Sequence, residues 1–248
     1  MRPPAVAGTF YPAEPAELRD TVVRLLAAAP RGPAPKALIA PHAGYVYSGP
    51  VAASAFARVE NATFSRVVLL GPSHFVSLRG VALPDARAMM TPLGVLPVEE
   101  LPLPQDGAAH EREHSLEVEL PFLQVTLRTF SLVPLVVGDA DPDEVADRLE
   151  PLWGGPETLV VISSDLSHYR PYEDAVRVDA ATAKEILALG RLTHDEACGA
   201  DPVNGLLRVA KRRGLRAELL DLRNSGDTAG DKSRVVGYGA FAFYEKAA

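Results

Sequence analysis

Short apolar runs alternate with longer segments of helical periodicity along most of the chain. Lys36–Ala40, Arg66–Gly71, Ser131–Val137 and Thr158–Ser163 are rich in Val, Ile and Leu. Such runs suit strands covered on both faces, as in a mostly parallel sheet, although periodicity alone leaves a buried helical turn open. Val235–Phe243 alternates larger and smaller residues and reads as a further strand. The intervening segments carry helix-start signals. Pro15 after Glu14 opens a segment in which Leu18, Val22, Leu25 and Leu26 form one apolar stripe. Ser48 is expected to cap a helix through Val51, Ala55 and Val59. Asp141 caps another, with Pro142 at its first position and Glu144 at its third. Tyr172–Leu189 shows a further helical face, and Asp201-Pro202 opens a helix that stops near Gly214.

This alternation predicts an α/β chain, a single-domain layered α/β/α fold with a mostly parallel central sheet. No convincing linker divides residues 1–248. The Pro-rich stretch Ala28–Pro35 reads as a loop, and residues 84–110 as a long excursion expected to lie over the functional site.

Composition narrows the function classes. The 248 residues are 47% apolar and 23% charged, a balance of soluble globular chains rather than disordered ones. A net charge of −7 carries no basic footprint, so no nucleic-acid partner is expected. No stretch approaches the roughly 18 unbroken apolar residues of a membrane span, and the first residues lack the apolar region of a secretion signal. The expected setting is the cytoplasm. The lone Cys198 excludes a disulfide within the chain and reads as a small buried hydrophobe.

The informative chemistry follows the apolar runs. Lys36–Ala40 leads into Pro41-His42-Ala43-Gly44-Tyr45, Arg66–Gly71 into Pro72-Ser73-His74-Phe75, and Thr158–Ser163 into Ser164-Asp165-Leu166-Ser167-His168-Tyr169. Three of six histidines thus stand just beyond strand ends. Any one of them suits a turn cap, but parallel strands place these ends on one edge, where open α/β sheets bind ligands. Two imidazoles and a carboxylate form a common shell for Fe(II), with Zn(II) or Cu(II) as competitors. Tyr45, Tyr47, Phe75 and Tyr169 flank the same loops.

Three other segments carry weaker signals. His110-Glu111-Arg112-Glu113-His114 has the zinc-peptidase H-E-x-x-H spacing, which requires both histidines on one continuous helix. An upstream turn at Gln105–Gly107 suggests that the motif straddles a helix start. His114 and Glu117, three apart, are expected to face one way and wall the pocket, with Glu117 and Glu119 equally readable as a solvated face. Asn224–Asp231 is a polar, Gly-punctuated loop ahead of the last strand.

Together these segments resemble the Memo-like protein family, whose bacterial and archaeal members are called AmmeMemoRadiSam system protein B. The likeness runs through Ala7–Pro12, Pro41–Tyr45 with Ser48-Gly49, Gly71–His74, Glu113–Glu117, Ser163–His168, Ala197-Cys198-Gly199 and Asn224–Asp227 through Gly237-Tyr238, in this order. It implies a fold similar to class III extradiol ring-cleaving dioxygenases, which hold non-haem Fe(II) with two His and a Glu. On that resemblance His42 and His74 match the two metal-binding histidines, and His168 the acid/base histidine with Asp165 beside it. Eukaryotic members are similar in drawing a further ligand, a Cys, from the loop before the last strand. That loop holds no Cys here; the position falls near Thr228, and Asp227 beside it becomes the expected third ligand. Tyr45, Ser73, His114, Glu117 and Thr228 complete the expected pocket.

The resemblance implies Fe(II), with Cu or Zn as alternatives or no metal as isolated, and association with radical SAM and AMMECR-type partner proteins. Eukaryotic members are linked to phosphotyrosine peptides, redox control and copper or iron handling. The leading expectation is a metal-binding protein with a redox-active, dioxygenase-type pocket and an unassigned reaction. The second is a non-catalytic protein that captures a peptide or partner in the same cleft. The third is a zinc peptidase using His110 and His114.

Overall fold

The computed structural model describes residues 1–245. Its strands are β1 (Ala37–Ala40), β2 (Arg66–Pro72), β3 (Val81–Ala82), β4 (Ala88–Thr91), β5 (Gly94–Pro97), β6 (Ser131–Val137), β7 (Thr158–Ser163), β8 (His168–Arg170), β9 (Arg216–Asn224) and β10 (Val235–Tyr244). Its helices are α1 (Pro15–Ala28), α2 (Tyr45–Phe56), α3 (Gly107–Glu111), α4 (Leu120–Thr126), α5 (Pro142–Leu149), α6 (Tyr172–Leu187), α7 (Ala200–Arg213) and α8 (Ser225–Thr228). The main sheet runs β3-β6-β2-β7-β1-β10-β8, with β9 on the far side of β10. The β6–β2, β2–β7 and β7–β1 pairs are parallel, while β3, β8, β9 and β10 join antiparallel.

The four apolar runs read from the sequence are the four parallel strands, and their period of two divides the core. Leu38, Leu69, Leu132 and Val161 face one layer, where α1, α2 and α4 supply Leu18, Phe56 and Phe122. Ile39, Leu70, Val133 and Ile162 face the other, where α5, α6 and α7 supply Val145, Ile186 and Leu206. Alternate side chains leave opposite faces of a strand, so the apolar residues of these runs meet apolar neighbours on both faces. This is the expected layered α/β fold. Among the described residues no helix is long and apolar enough to cross a membrane.

Local differences have local causes. The second helix begins at Tyr45 rather than after Ser48, with Gly44 at its cap and Pro50 inside it. The Ser48 hydroxyl bonds back to Ala43 O at 2.8 Å instead of capping. β9 has no apolar run because it is an edge strand, and its charged residues alternate along an edge that only β10 pairs. The α7 stop is as expected: Gly214 takes a left-handed conformation with φ 67°.

Residues 84–110 correct an expectation. They contain the β4–β5 hairpin, and Val98 beyond it pairs with Leu132. Glu99 clamps the Arg66 guanidinium at 2.7 and 3.1 Å. Arg66 and Leu132 lie at the starts of β2 and β6, so this anchorage is at the opposite sheet edge from the strand ends that carry the histidines.

Glu117 also differs from expectation. It sits in a 3-10 turn, Glu117–Glu119, and is fully buried. Its carboxylate accepts from the Arg2 guanidinium, from Ala5 N at 2.7 Å, from Val6 N at 3.0 Å and from Tyr11 OH at 2.5 Å. It therefore ties the N-terminal segment to the body rather than walling a pocket. Removing one member of a buried ion pair strands the other charge. Glu117→Ala should lower unfolding stability by about 3–5 kcal/mol in urea titration, as such buried pairs do.

Candidate metal centre

In-register parallel pairing sets Ala40 against Ser163 and Leu70 against Ile162, so β1, β2 and β7 end together. The chain leaving each strand turns into one cluster. The His42 and His74 ring centres are 5.2 Å apart, His42 and His114 5.4 Å, and His74 and His114 4.7 Å with nearly parallel planes. Phe10 and Phe75 pack on His114 from the outside.

Each histidine is oriented from behind. His42 is buried; its backbone N donates to Asp165 Oδ1 at 2.9 Å and its Nδ1 lies 2.8 Å from Ser163 Oγ. His74 donates twice to Glu113, from its backbone N at 2.6 Å and from Nδ1 at 2.9 Å, and Ser115 N adds a third bond to that carboxylate. A carboxylate on one imidazole nitrogen fixes the tautomer that frees the other. Burial pushes the Glu113 pKa up, but the bonds from His74 and Ser115 outweigh it and hold the acid at about 2. Burial, then the charges of His74, His114 and His168, hold His42 well below the usual histidine range. Burial likewise takes His114 down to about 4. His42 and His114 are thus held as neutral imidazoles near pH 7, with lone pairs to offer.

Cys198, on the segment joining α6 to α7, completes the group. Its Sγ is 3.4 Å from His42 Nε2, and one donor atom each from His42, His74 and Cys198 lie within 4.8 Å of one another. The close approach needs Gly199: a Cβ there would stand 2.7 Å from Ser164 Cβ and 2.9 Å from Ser163 O. Burial, then Asp165, push the Cys198 thiol well up, so the free protein holds it protonated. A second group, His74, Glu113 and His114, also falls within 4.8 Å. Glu113 already accepts three N–H bonds there, which favours the first group as a donor set.

Asp165 and His168 flank this centre differently. Asp165 is buried under His42, and burial lifts its pKa to about 7 despite the bonds from His42 and Ala43. His168 is exposed at the rim, with Nδ1 donating to Leu166 O at 2.8 Å, which leaves Nε2 free. Partial desolvation of the ring lowers its pKa against the Leu166 bond, and the His74 charge pushes the same way as the desolvation. Tyr169 beside it holds φ at 56°, an uncommon backbone state for a non-glycine residue.

Other expected pocket residues point elsewhere. Tyr45 is turned into the core, where its hydroxyl donates to Val118 O at 2.8 Å. The Ser73 hydroxyl bonds within its own loop, to Val76 O at 2.6 Å. Asp227 and Thr228 belong to α8. Asp227 accepts from Asn224 N at 3.0 Å in a capping box and from Tyr172 OH at 2.6 Å. Thr228 Oγ1 reaches Ser225 O at 3.4 Å. Asp227 is in neither candidate donor group among the described residues, and the sulfur atom in those groups is Cys198 Sγ. Sequence reasoning missed Cys198, Glu113, Ser163 and Glu119; the Cys-Gly pair was the one available signal for the first.

The peptidase geometry is absent. The helix carrying His110 spans Gly107–Glu111 and ends before His114, so the motif straddles a helix end rather than a start. His110 Nε2 donates to Ala82 O at 2.9 Å, inside the protein.

Fold and site define an α/β protein with a candidate His-His-Cys metal centre at the C-terminal edge of its parallel strands. The chain belongs to the Memo-like protein family, whose profile it matches over residues 2–242. It is 38% identical to a MEMO1 family protein of Aquifex aeolicus, over 96% of this chain and 97% of that protein. A MEMO1 family protein of Sulfolobus acidocaldarius is 35% identical over the same shares of the two chains. One from Methanocaldococcus jannaschii is 36% identical, again over 96% and 97%.

His110 yields a pH prediction. Burial lowers its pKa from 6.5 to about 4, against the opposing bond to Ala82. A depressed histidine favours the folded state while neutral, so its contribution is complete above pH 6.5 and is lost as pH falls toward 4. At 1.36 kcal/mol per unit the loss is roughly 3 kcal/mol. His110→Gln, which can still donate to Ala82, should flatten the stability–pH profile over this window in urea unfolding.

Proposed function

We propose that this protein holds one metal ion on His42, His74 and Cys198 and uses it in a pocket suited to redox chemistry. The carrying observation is the convergence of three donor atoms within 4.8 Å from three distant segments. The donors fit: burial keeps the His42 imidazole neutral, Glu113 on Nδ1 of His74 leaves its Nε2 to face outward, and a thiol gives up its proton on coordination. Three protein ligands leave a position for an exogenous molecule. A thiolate in place of the expected carboxylate is softer, which moves preference from Fe(II) toward Cu or Zn while keeping Fe(II) in range. Bound iron or copper would supply Lewis acidity and one-electron chemistry. Around it, Asp165, half-titrated near neutrality, holds a proton beneath His42, and His168 Nε2 faces the rim as an exchange point with solvent. This arrangement supports the dioxygenase-like reading without naming a substrate.

A second reading, capture of a peptide or partner protein without turnover, is favoured by exposed Tyr47, Phe75 and Tyr169 near the strand-end loops. Partner binding that survives chelation of the metal supports it. The proposed radical SAM and AMMECR-type partners rest on the family resemblance alone and are tested by co-purification from the native host.

The metal reading is tested by anaerobic metal analysis of the wild type and of His42→Ala, His74→Ala and Cys198→Ala. Near-stoichiometric metal in the wild type and loss in each variant is expected. Equal metal in all four proteins sinks the assignment.

A further inference from the structure

Behind His42 lies a buried node whose hydrogens can be counted. Ser163 Oγ is 2.8 Å from His42 Nδ1, 2.7 Å from Ser115 O and 2.7 Å from Glu119 Oε1. A serine hydroxyl owns one hydrogen and two lone pairs. The Ser115 carbonyl can only accept, so that contact requires the hydrogen of Ser163. Both remaining contacts must then bring hydrogens of their own. His42 therefore carries its proton on Nδ1, and Glu119 carries one on Oε1. In the opposite assignment an ionised Glu119 takes the Ser163 hydrogen. Two oxygens, Ser163 Oγ and Ser115 O, would then face each other at 2.7 Å with nothing between them.

We infer that Glu119 is a neutral carboxylic acid and, acting through Ser163, the positioning residue that locks His42 in the tautomer presenting Nε2 to the metal. The inference deepens the metal-centre reading above and rests on it for its functional consequence. Two further observations agree with it. Glu119 is fully buried, and its Oε2 has no hydrogen-bond partner among the described residues. A bare carboxylate oxygen in such a place is far costlier than the carbonyl oxygen of a neutral acid. Burial also drives the Glu119 pKa well above the usual carboxylate range, against the bond to Ser163, with Asp165 pushing the same way as burial.

The two metal histidines are thus backed by acids in opposite charge states. Glu113 is an anion that bonds His74 directly, whereas Glu119 is neutral and reaches His42 through a hydroxyl. With Cys198 as thiolate, Glu113 is then the second full negative charge around a divalent ion, Asp165 contributes in part, and Glu119 adds none.

The test uses metal-free, full-length protein first. Nitrogen-15 NMR of the histidine rings should show His42 as the Nδ1–H tautomer in the wild type and in Glu119→Gln, whose amide can still donate to Ser163. Ser163→Ala and Glu119→Leu should lose that preference. Difference infrared spectroscopy should show a protonated-acid carbonyl band that Glu119→Gln removes. Chelator competition should then show metal affinity on the order of 10–100-fold weaker for Ser163→Ala and Glu119→Leu, the usual range for such orienting partners, and within a few-fold for Glu119→Gln. An unchanged His42 tautomer in well-folded Ser163→Ala, or no band lost in Glu119→Gln, overturns the inference. Should Glu119→Leu fail to fold, Ser163→Ala and the infrared band decide. A wild type that binds no metal defeats the metal reading and leaves tautomer and band to judge this one.

Discussion

Parallel pairing of β1, β7 and β2 in a common register is the constraint on which the site depends. It brings three chain segments, far apart in sequence, to one edge at one height. Antiparallel insertion of any one of these strands would carry its histidine or aspartate to the far edge, where the Arg66–Glu99 clamp lies. The helices that cover both faces make this arrangement possible, because parallel strands need long crossovers and both faces of the sheet must be buried.

That edge is crowded with groups that ordinarily seek water. Glu113, Glu117, Glu119 and Asp165 are all buried within a few residues of one another or of the histidines. Each meets its burial differently. Glu117 is paired with Arg2, Glu113 collects three N–H bonds, Asp165 takes backbone donors from the His42 turn, and Glu119 is neutral. Buried polar networks are stable only when their members are satisfied, and a satisfied network holds its side chains to one geometry. With every hydrogen of this network placed and, among the described residues, only the Glu119 carbonyl oxygen left unpartnered, the imidazoles facing inward stand on a firm support, as a metal site requires.

Much of the fold was legible because burial on both faces leaves a compositional trace. Ser131–Val137 and Thr158–Ser163 are strands with the bounds read from their apolar runs. The Asp141-Pro142 start and the Gly214 stop follow from local backbone chemistry. β9 left no such trace, since an edge strand with charged residues looks like a loop. The start of α2 was obscured by Pro50, which usually marks a helix beginning but here lies in the interior. The site was half legible. His42, His74 and Asp165 could be singled out because strand ends in α/β sheets are informative positions, and the structure brings them to one edge. Asp227 lies in neither candidate donor group and Cys198 joins one, because loop geometry, not residue type, decides which polar side chain reaches inward.

The amino-acid sequence by itself determined the layers, the parallel centre of the sheet and the edge at which chemistry collects, because these follow from periodicity and from the ends of buried runs. Only the tertiary structure showed that Cys198 lies beside His42 and His74, how burial and partners shift each acid, and that His110 and His114 part company. Those outcomes depend on which atoms approach within hydrogen-bonding distance once distant segments are packed, and on how completely water is excluded from each group. No local pattern along the chain encodes either quantity.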